Sequence, residues 1–331
     1  MMSTETIVRI RGFHPLLIGD KLAGGRYRIL HKLGSGGFST VWLARDERGK
    51  RLVSLKIMTA ETSSTCNELR ILQCLKQTAV HHPACTYIIS LLDHFEIEGP
   101  NGRHVCLVSE FAGPSISALH FNPNKPGEIR RLRGDLARKY SKQLILATGY
   151  MHSVGIVHGD ITTSNVLIQL ASADEWTDQD VYQRLGYPVT AEVRLCSGGL
   201  NDLVSAPKYV VQSARLPDLE PKWLTEKVVL VDFGQAFMLL TPPSAYAPPE
   251  VIFDSKLSVW SDIWALGCTT FEIRAGFQLF EIFFGTSREV LRHMVEILGK
   301  FPEPCVMSTS MMTASPKKAG QTVFVCPRSI R

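Results

Sequence analysis

Three oxygen-bearing side chains, Asp160, Asn165 and Asp232, have the types needed to activate a hydroxyl and to hold a divalent cation. Asp160 stands five residues before Asn165 in VHGDITTSNVLI (157–168), and Asp232 follows in VDFGQA (231–236). Phosphoryl transfer needs a carboxylate that orients and deprotonates the attacking hydroxyl, and oxygen ligands that keep Mg²⁺ on the nucleotide phosphates. Asp and Asn are also common turn residues that bond their own backbone. The pattern therefore takes its meaning from the elements around it.

Those elements begin with LGSGGFSTVWLARD (33–46). Gly34 and Gly36 lie between apolar segments and suit a hairpin whose backbone can approach phosphates without Cβ obstruction; Ser39 stands where a third glycine often occurs. VSLKIM (53–58) alternates as a strand does, and the Lys56 ammonium is a candidate for α/β-phosphate oxygens. Taken singly, a glycine turn is just a hairpin and a strand lysine just a solvated charge. In CNELRILQCLKQ (66–77), Leu69, Ile71, Leu72 and Leu75 recur at helical spacing, which makes Glu68 the candidate partner of Lys56, with Glu61 as the alternative. HVCLVSEF (104–111) reads as a buried strand, and YAPPE (246–250) and SDIWALGC (261–268) follow later. In a protein kinase, the Asp262 of SDIWALGC would hold the loop around Asp160 from below, and Trp264, Leu266 and Gly267 would be scaffold. The set arrives in the order that a protein kinase requires.

The 331 residues, 45% of them apolar, suffice for one or two substantial cores. No run of about 18 apolar residues is present, and the N-terminus lacks a basic stretch leading into an apolar one, so the expectation is a soluble, non-secreted protein without a membrane partner. Eight cysteines are scattered without C-x-x-C spacing, as reduced thiols are, and no zinc site is expected. The net charge of +5 is mild. Its densest basic cluster, IRRLRGDLARK (129–139), reads as the solvated face of a helix rather than a nucleic-acid patch.

Four segments are expected: an arm over 1–26, a strand-rich lobe with one helix over 27–114, a mainly helical lobe over 115–304 and a divergent tail over 305–331. Asn165 and Asp232 are 67 residues apart, several times what a short strand pair needs. The excess is expected to be an insertion at about 171–228, largely loop from its Pro, Gly and Asp content, with Trp176, Tyr182, Tyr187 and Tyr209 pinning it to the lobe.

LGSGGFSTVWLARD, YMHSVGIVHGDI (150–161), the long spacer before Asp232 and FFGTSREVLRHMVEILGKFPEP (283–304) resemble the SR-protein kinase family in its divergent fungal form, over about 27–304. The resemblance implies an α+β, bilobal protein kinase fold: a small antiparallel-sheet N-lobe with one helix, and a mainly helical C-lobe. It implies ATP and Mg²⁺ as cofactors, and serine or threonine hydroxyls, in Arg/Ser-rich proteins, as phosphate acceptors. Asp160 would be the base, Asn165 and Asp232 the metal ligands, and Lys56 with Glu68 the phosphate anchor. Leu33, Gly34, Ser35, Gly36, Gly37 and Val41 would line the nucleotide together with Lys56. Glu110 and Ala112 would offer hinge backbone groups to adenine, and Ser109 would be an unusually small gatekeeper. A monomer in the cytoplasm, the nucleus or both, with no nucleic-acid partner, completes the expectation.

Several positions depart from the family pattern. Gly159 replaces an arginine, which removes the grip on a phosphorylated loop. Thr162 stands where a lysine usually neutralises the transferring group, a loss of about 10² in rate or more. Thr163 replaces a proline and Ser54 an alanine. Only 17 residues separate Asp232 from Glu250, so the activation segment is short, and after Pro304 the chain does not resemble the last helices of a kinase. A truncated C-lobe is expected, with Glu250 lacking its usual arginine. These departures keep open a second reading, a nucleotide-binding pseudokinase acting as a binding module. A third, a small-molecule kinase of the aminoglycoside or choline type, shares the HGD string but generally lacks the glycine-rich and A-P-E signatures present here.

Overall fold

The computed structural model describes residues 12–78, 82–121, 128–193, 204–236, 248–249, 258–280 and 286–300. Its first half builds one antiparallel sheet from β1 (Lys21–Leu22), β2 (Tyr27–Ser35), β3 (Ser39–Asp46), β4 (Arg51–Met58), β5 (Leu91–Gly99) and β6 (Gly102–Glu110), in the spatial order β1-β2-β3-β4-β6-β5. Side chains alternate across a strand. On β4, Val53, Leu55 and Ile57 join Tyr27, Ile29, Trp42 and Val108 in an outer core, which turns Ser54 and Lys56 to the other face. A slip of one residue would drive the Lys56 ammonium into that core, so burial fixes the register.

Two helices interrupt the sheet between β4 and β5: α1 (Ala60–Ser63), capped by the Thr59 side chain, and α2 (Asn67–Thr78). The predicted stripe on α2 is present, with Glu68, Ile71, Leu72 and Leu75 buried and Leu69 partly so. After the sheet come α3 (Ile116–His120) and α4 (Gly134–Ser153). The basic run expected to be helical from residue 129 enters the helix only at Gly134. Before it, Ile129 forms an isolated bridge with Phe121, and the arginines at 130, 131, 133 and 138 are exposed.

The next strand, β7 (Val166–Leu170), is followed by α5 (Asp178–Leu185), β8 (Thr190–Glu192), β9 (Tyr209–Val211) and β10 (Leu224–Leu230). β7 and β10 pair antiparallel, Val166 opposite Leu230, and the Val231 N–H donates to the Asn165 carbonyl at 2.9 Å. This pairing sets residues far apart in sequence side by side. Helix α6 (Val259–Ala275) then packs Ala265, Leu266, Cys268 and Ile273 into a core shared with Tyr140, Leu144, Ala147 and Met151 of α4, and α7 (Ser287–Leu298) buries Val290, Leu291 and Met294 in it.

The segment expected as an insertion, about 171–228, runs into β10 at Leu224, and its described part holds a helix and a short strand pair among its turns. A capping box between Thr177 and Asp180 starts α5, whose Val181 and Leu185 are buried. Residues that read as turn formers thus supply a helix start. Asp178 accepts from Arg28 at 2.7 Å and from Arg45 at 3.0 Å, and Trp176 meets the Phe111 ring edge-on at 6.2 Å. Tyr209 and Val211 pack against the outer core of the sheet. The segment is a strap running over the N-lobe, with Trp176, Tyr182 and Tyr209 in its contacts; Tyr187 stacks on Tyr182 and is exposed. Glu250, most of the segment between Asp232 and Glu250, and the tail after Lys300 lie outside the described residues.

Candidate active site

β4 aims Lys56 into the cleft, and the first turn of α2 brings Glu68 to it. The ammonium donates to both Glu68 carboxylate oxygens, at 2.8 and 2.6 Å, and to Asp232 Oδ1 at 2.8 Å. Glu61, the alternative partner, is exposed on α1. Burial disfavours the charge on Lys56, but Glu68 and Asp232 outweigh it and raise the lysine pKa. Burial would likewise raise Asp232, yet the Lys56 charge and hydrogen bond, with the Gly234 N–H, hold it below the ordinary carboxylate range. Asp232 sits in the left-handed region, φ 65°, immediately after the strand that delivers it.

The loop from His158 to Asn165 is fixed from underneath by α6. Asp262 accepts from the His158 N–H and the Gly159 N–H, both at 2.8 Å, and from His152 Nε2 at 2.9 Å. The Thr269 hydroxyl donates to the Ile161 carbonyl, and the Thr163 hydroxyl to Glu272 Oε1, each at 2.9 Å. Thr162 and Thr163 are 4% and 1% exposed. Above them Asn165 Nδ2 donates to Asp160 Oδ2 at 2.8 Å, while Asp160 Oδ1 is buried without a hydrogen-bond partner among the described residues. Burial raises the Asp160 pKa and the Asp232 charge adds to this, against the opposing effects of His158 and Asn165. A carboxylate with one bare oxygen and a raised pKa is a proton acceptor awaiting a donor.

The sequence had not singled out His158. Its Nε2 lies 3.1 Å from the Val231 carbonyl and its Nδ1 3.2 Å from the Asp160 N–H, so the ring bridges these two backbone groups. The ring packs edge-on against Phe233 at 4.8 Å, so it ties the Asp160 loop to the Asp232 segment.

A cleft of about 520 Å³ opens between sheet and loop. Leu33, Gly34, Ser35, Gly36, Val41, Lys56, Glu110, Ala112, Asn165 and Asp232 all line it, as does Ser109; Gly37 instead lines a smaller cavity of about 180 Å³ beside Lys56, Asp160 and Asp232. A Cβ at Gly34, Gly36 or Gly37 would meet nothing within 4 Å, and none of the three has a positive φ. Neither backbone strain nor packing asks for glycine there, whereas close approach of a phosphate does. Ala112 lines this cleft, and its backbone makes no hydrogen bond among the described residues. Asn165 and Asp232 carry the hard oxygen donors that suit Mg²⁺. The residues present fit a nucleotide with its metal.

The cleft also contains residues that no sequence signal marked: Ala214, Leu216 and Pro217 of the insertion. Their only motif is a proline in a turn.

The protein kinase domain family matches residues 27–208. Protein kinase dsk1 of Schizosaccharomyces pombe is 37% identical over 183 residues, 54% of this chain and 32% of the relative. Serine/threonine-protein kinase SRPK of Physarum polycephalum is 30% identical over 319 residues, 90% of this chain and 72% of the relative. SRSF protein kinase 3 of Homo sapiens is 31% identical over 218 residues, 62% of this chain and 35% of the relative. The chain thus spans about a third of the length of dsk1 and of the human relative.

Proposed function

The chain belongs to the protein kinase family, in its SR-protein kinase branch, and from that premise we propose that it transfers the γ-phosphate of ATP to serine or threonine hydroxyls of proteins. The observation that carries this reading is the joint placement of Asp160, Asn165, Asp232, Lys56 and Glu68 around the cleft and the smaller cavity that shares Lys56, Glu68 and Asp232 with it, with the lysine paired to Glu68 and Asp232. ATP bound with Mg²⁺ supplies the phosphoryl group and the cation that neutralises its charge. Lys56, held by Glu68, would grip phosphate oxygens. The glycine backbone at 34–37 would cover them, and Asn165 and Asp232 would hold the cation. Asp160, its Oδ2 held by Asn165, would take the proton of the incoming hydroxyl.

Relatives named as SR-protein kinases support Arg/Ser-rich proteins as the acceptor class. A monomer acting in the cytoplasm, the nucleus or both goes with that reading. The test is Mg²⁺-ATP-dependent phosphate incorporation into an Arg/Ser-repeat peptide and into a generic basic protein, beside Asp160→Ala. Incorporation that disappears in the variant supports the kinase reading, and a preference for the repeat peptide supports the substrate class. ATP binding with no transfer above the variant would replace it with a nucleotide-binding module.

A further inference from the structure

We infer that the insertion is part of the nucleotide site: Leu216 and Pro217 form the outer wall of the adenine end of the cleft and set its affinity. This rests on the nucleotide reading above. The wall is anchored at the base of the glycine hairpin, where the Ala214 N–H donates to the Lys32 carbonyl at 2.8 Å, one residue before Leu33. From there a 3₁₀ turn over Leu216–Asp218, with Pro217 at its start and an Arg215–Asp218 ion pair of 2.9 Å, presents Leu216 and Pro217 to the cleft. Both are half-buried, and Leu216 and Leu33 pack against the same core, the one containing Phe111. Leu33 and Ala112, on either side of the adenine position, line the same space.

An apolar wall here does two things. It removes from water the face of a planar base that the hinge and Val41 leave open, and it narrows the exit beside the hinge. Because Ala214 holds Lys32, the wall and the glycine hairpin are one connected unit. The rest of the strap, through Asp178 and its two arginines, fixes that unit against the sheet. Base binding therefore depends on residues about fifty positions downstream of the loop that carries Asp160.

The experiment titrates adenosine and MgATP separately into the full chain, into Leu216→Ala/Pro217→Ala and into Val204→Ala, an exposed control on the same insertion. Adenosine isolates the base and ribose from the phosphate contacts. The expected result is a Kd about tenfold weaker for both ligands in the double variant, from the lost apolar contact, with the control unchanged. Wild-type affinity for both ligands in a double variant of unchanged melting temperature would overturn the inference. In Pro217→Cys, site-resolved thiol labelling should slow about tenfold at ten times the Kd of adenosine, and an unchanged rate counts against the wall even if the double variant is unstable. A wild-type chain that binds neither ligand would overturn the nucleotide reading, and this inference with it.

Discussion

Asp262 holds Gly159 in a backbone conformation that only glycine adopts without strain: Oδ1 accepts from the Gly159 N–H at 2.8 Å while Gly159 has φ 78°. The same carboxylate, 1% exposed, also receives the His158 N–H and His152 Nε2. Gly159 therefore has a structural reason beside the loss of an arginine. Gly159→Ala is expected to cost about 1–2 kcal/mol in urea unfolding. Asp262→Ala, which strips three donors of their acceptor, should cost about 3 kcal/mol or more and lower turnover with it. An Asp262→Ala chain as stable as wild type would contradict this account of the loop.

Lys56 links the helix of the small lobe to the segment after β10. Lys56→Met leaves Glu68, 4% exposed, without its cation. Turnover should fall at least about 10²-fold. Stability should also fall, by about 3 kcal/mol, because an unpaired buried carboxylate remains. Adding Glu68→Gln should restore most of the stability and none of the turnover, a separation readable by thermal melts run beside a phosphate-transfer assay.

Ser109 lines the cleft next to Leu107, Leu72 and Leu91. Its small side chain leaves room behind the adenine position. Adenine-like inhibitors carrying a bulky aromatic group should bind wild type at least about tenfold more tightly than Ser109→Phe, a difference of about 1.4 kcal/mol. Equal affinities would show that this room is not accessible.

His14 ties the stability of the small lobe to pH. Its imidazole is pushed down to about 4, first by burial and then by His104, whose ring centroid lies 5.0 Å away, against a weaker pull from Asp20. An unfolded histidine titrates near 6.5. The folded-state value is the lower one, so the unfolded chain binds more protons between the two values. The stabilisation is present above about pH 6.5 and is lost as pH falls towards 4. The melting temperature should drop between pH 7 and 5, and His14→Gln should flatten that slope.

The sequence carried most of what local chemistry dictates. Lys56 was legible because alternation on β4 fixes its face, and Glu68 because the α2 stripe turns its first turn inward. Asp160, Asn165 and Asp232 carry their roles in residue type, but their meeting depends on the β7–β10 pairing, a long-range event that the spacing only hinted at. His158 was not marked, since its part is played through backbone groups of Asp160 and Val231. The helix inside the insertion was not legible because Asp, Thr and Pro serve as caps as well as breakers. What made them caps was Val181 and Leu185 finding an apolar surface on the other lobe, and that surface is invisible within the segment itself.

The strap over the sheet bears on how the chain acquires its shape during synthesis. The Ile18 N–H donates to the Tyr209 hydroxyl across 191 residues, and Val211 is 5% exposed within the core of the first lobe. That lobe cannot close its outer core until more than half the chain has left the ribosome. Contacts of such sequence separation form late because loop closure must precede them. The two lobes should therefore mature together, and a nascent chain stopped before residue 204 should present Tyr27, Trp42 and Leu55 to chaperones as uncovered apolar surface.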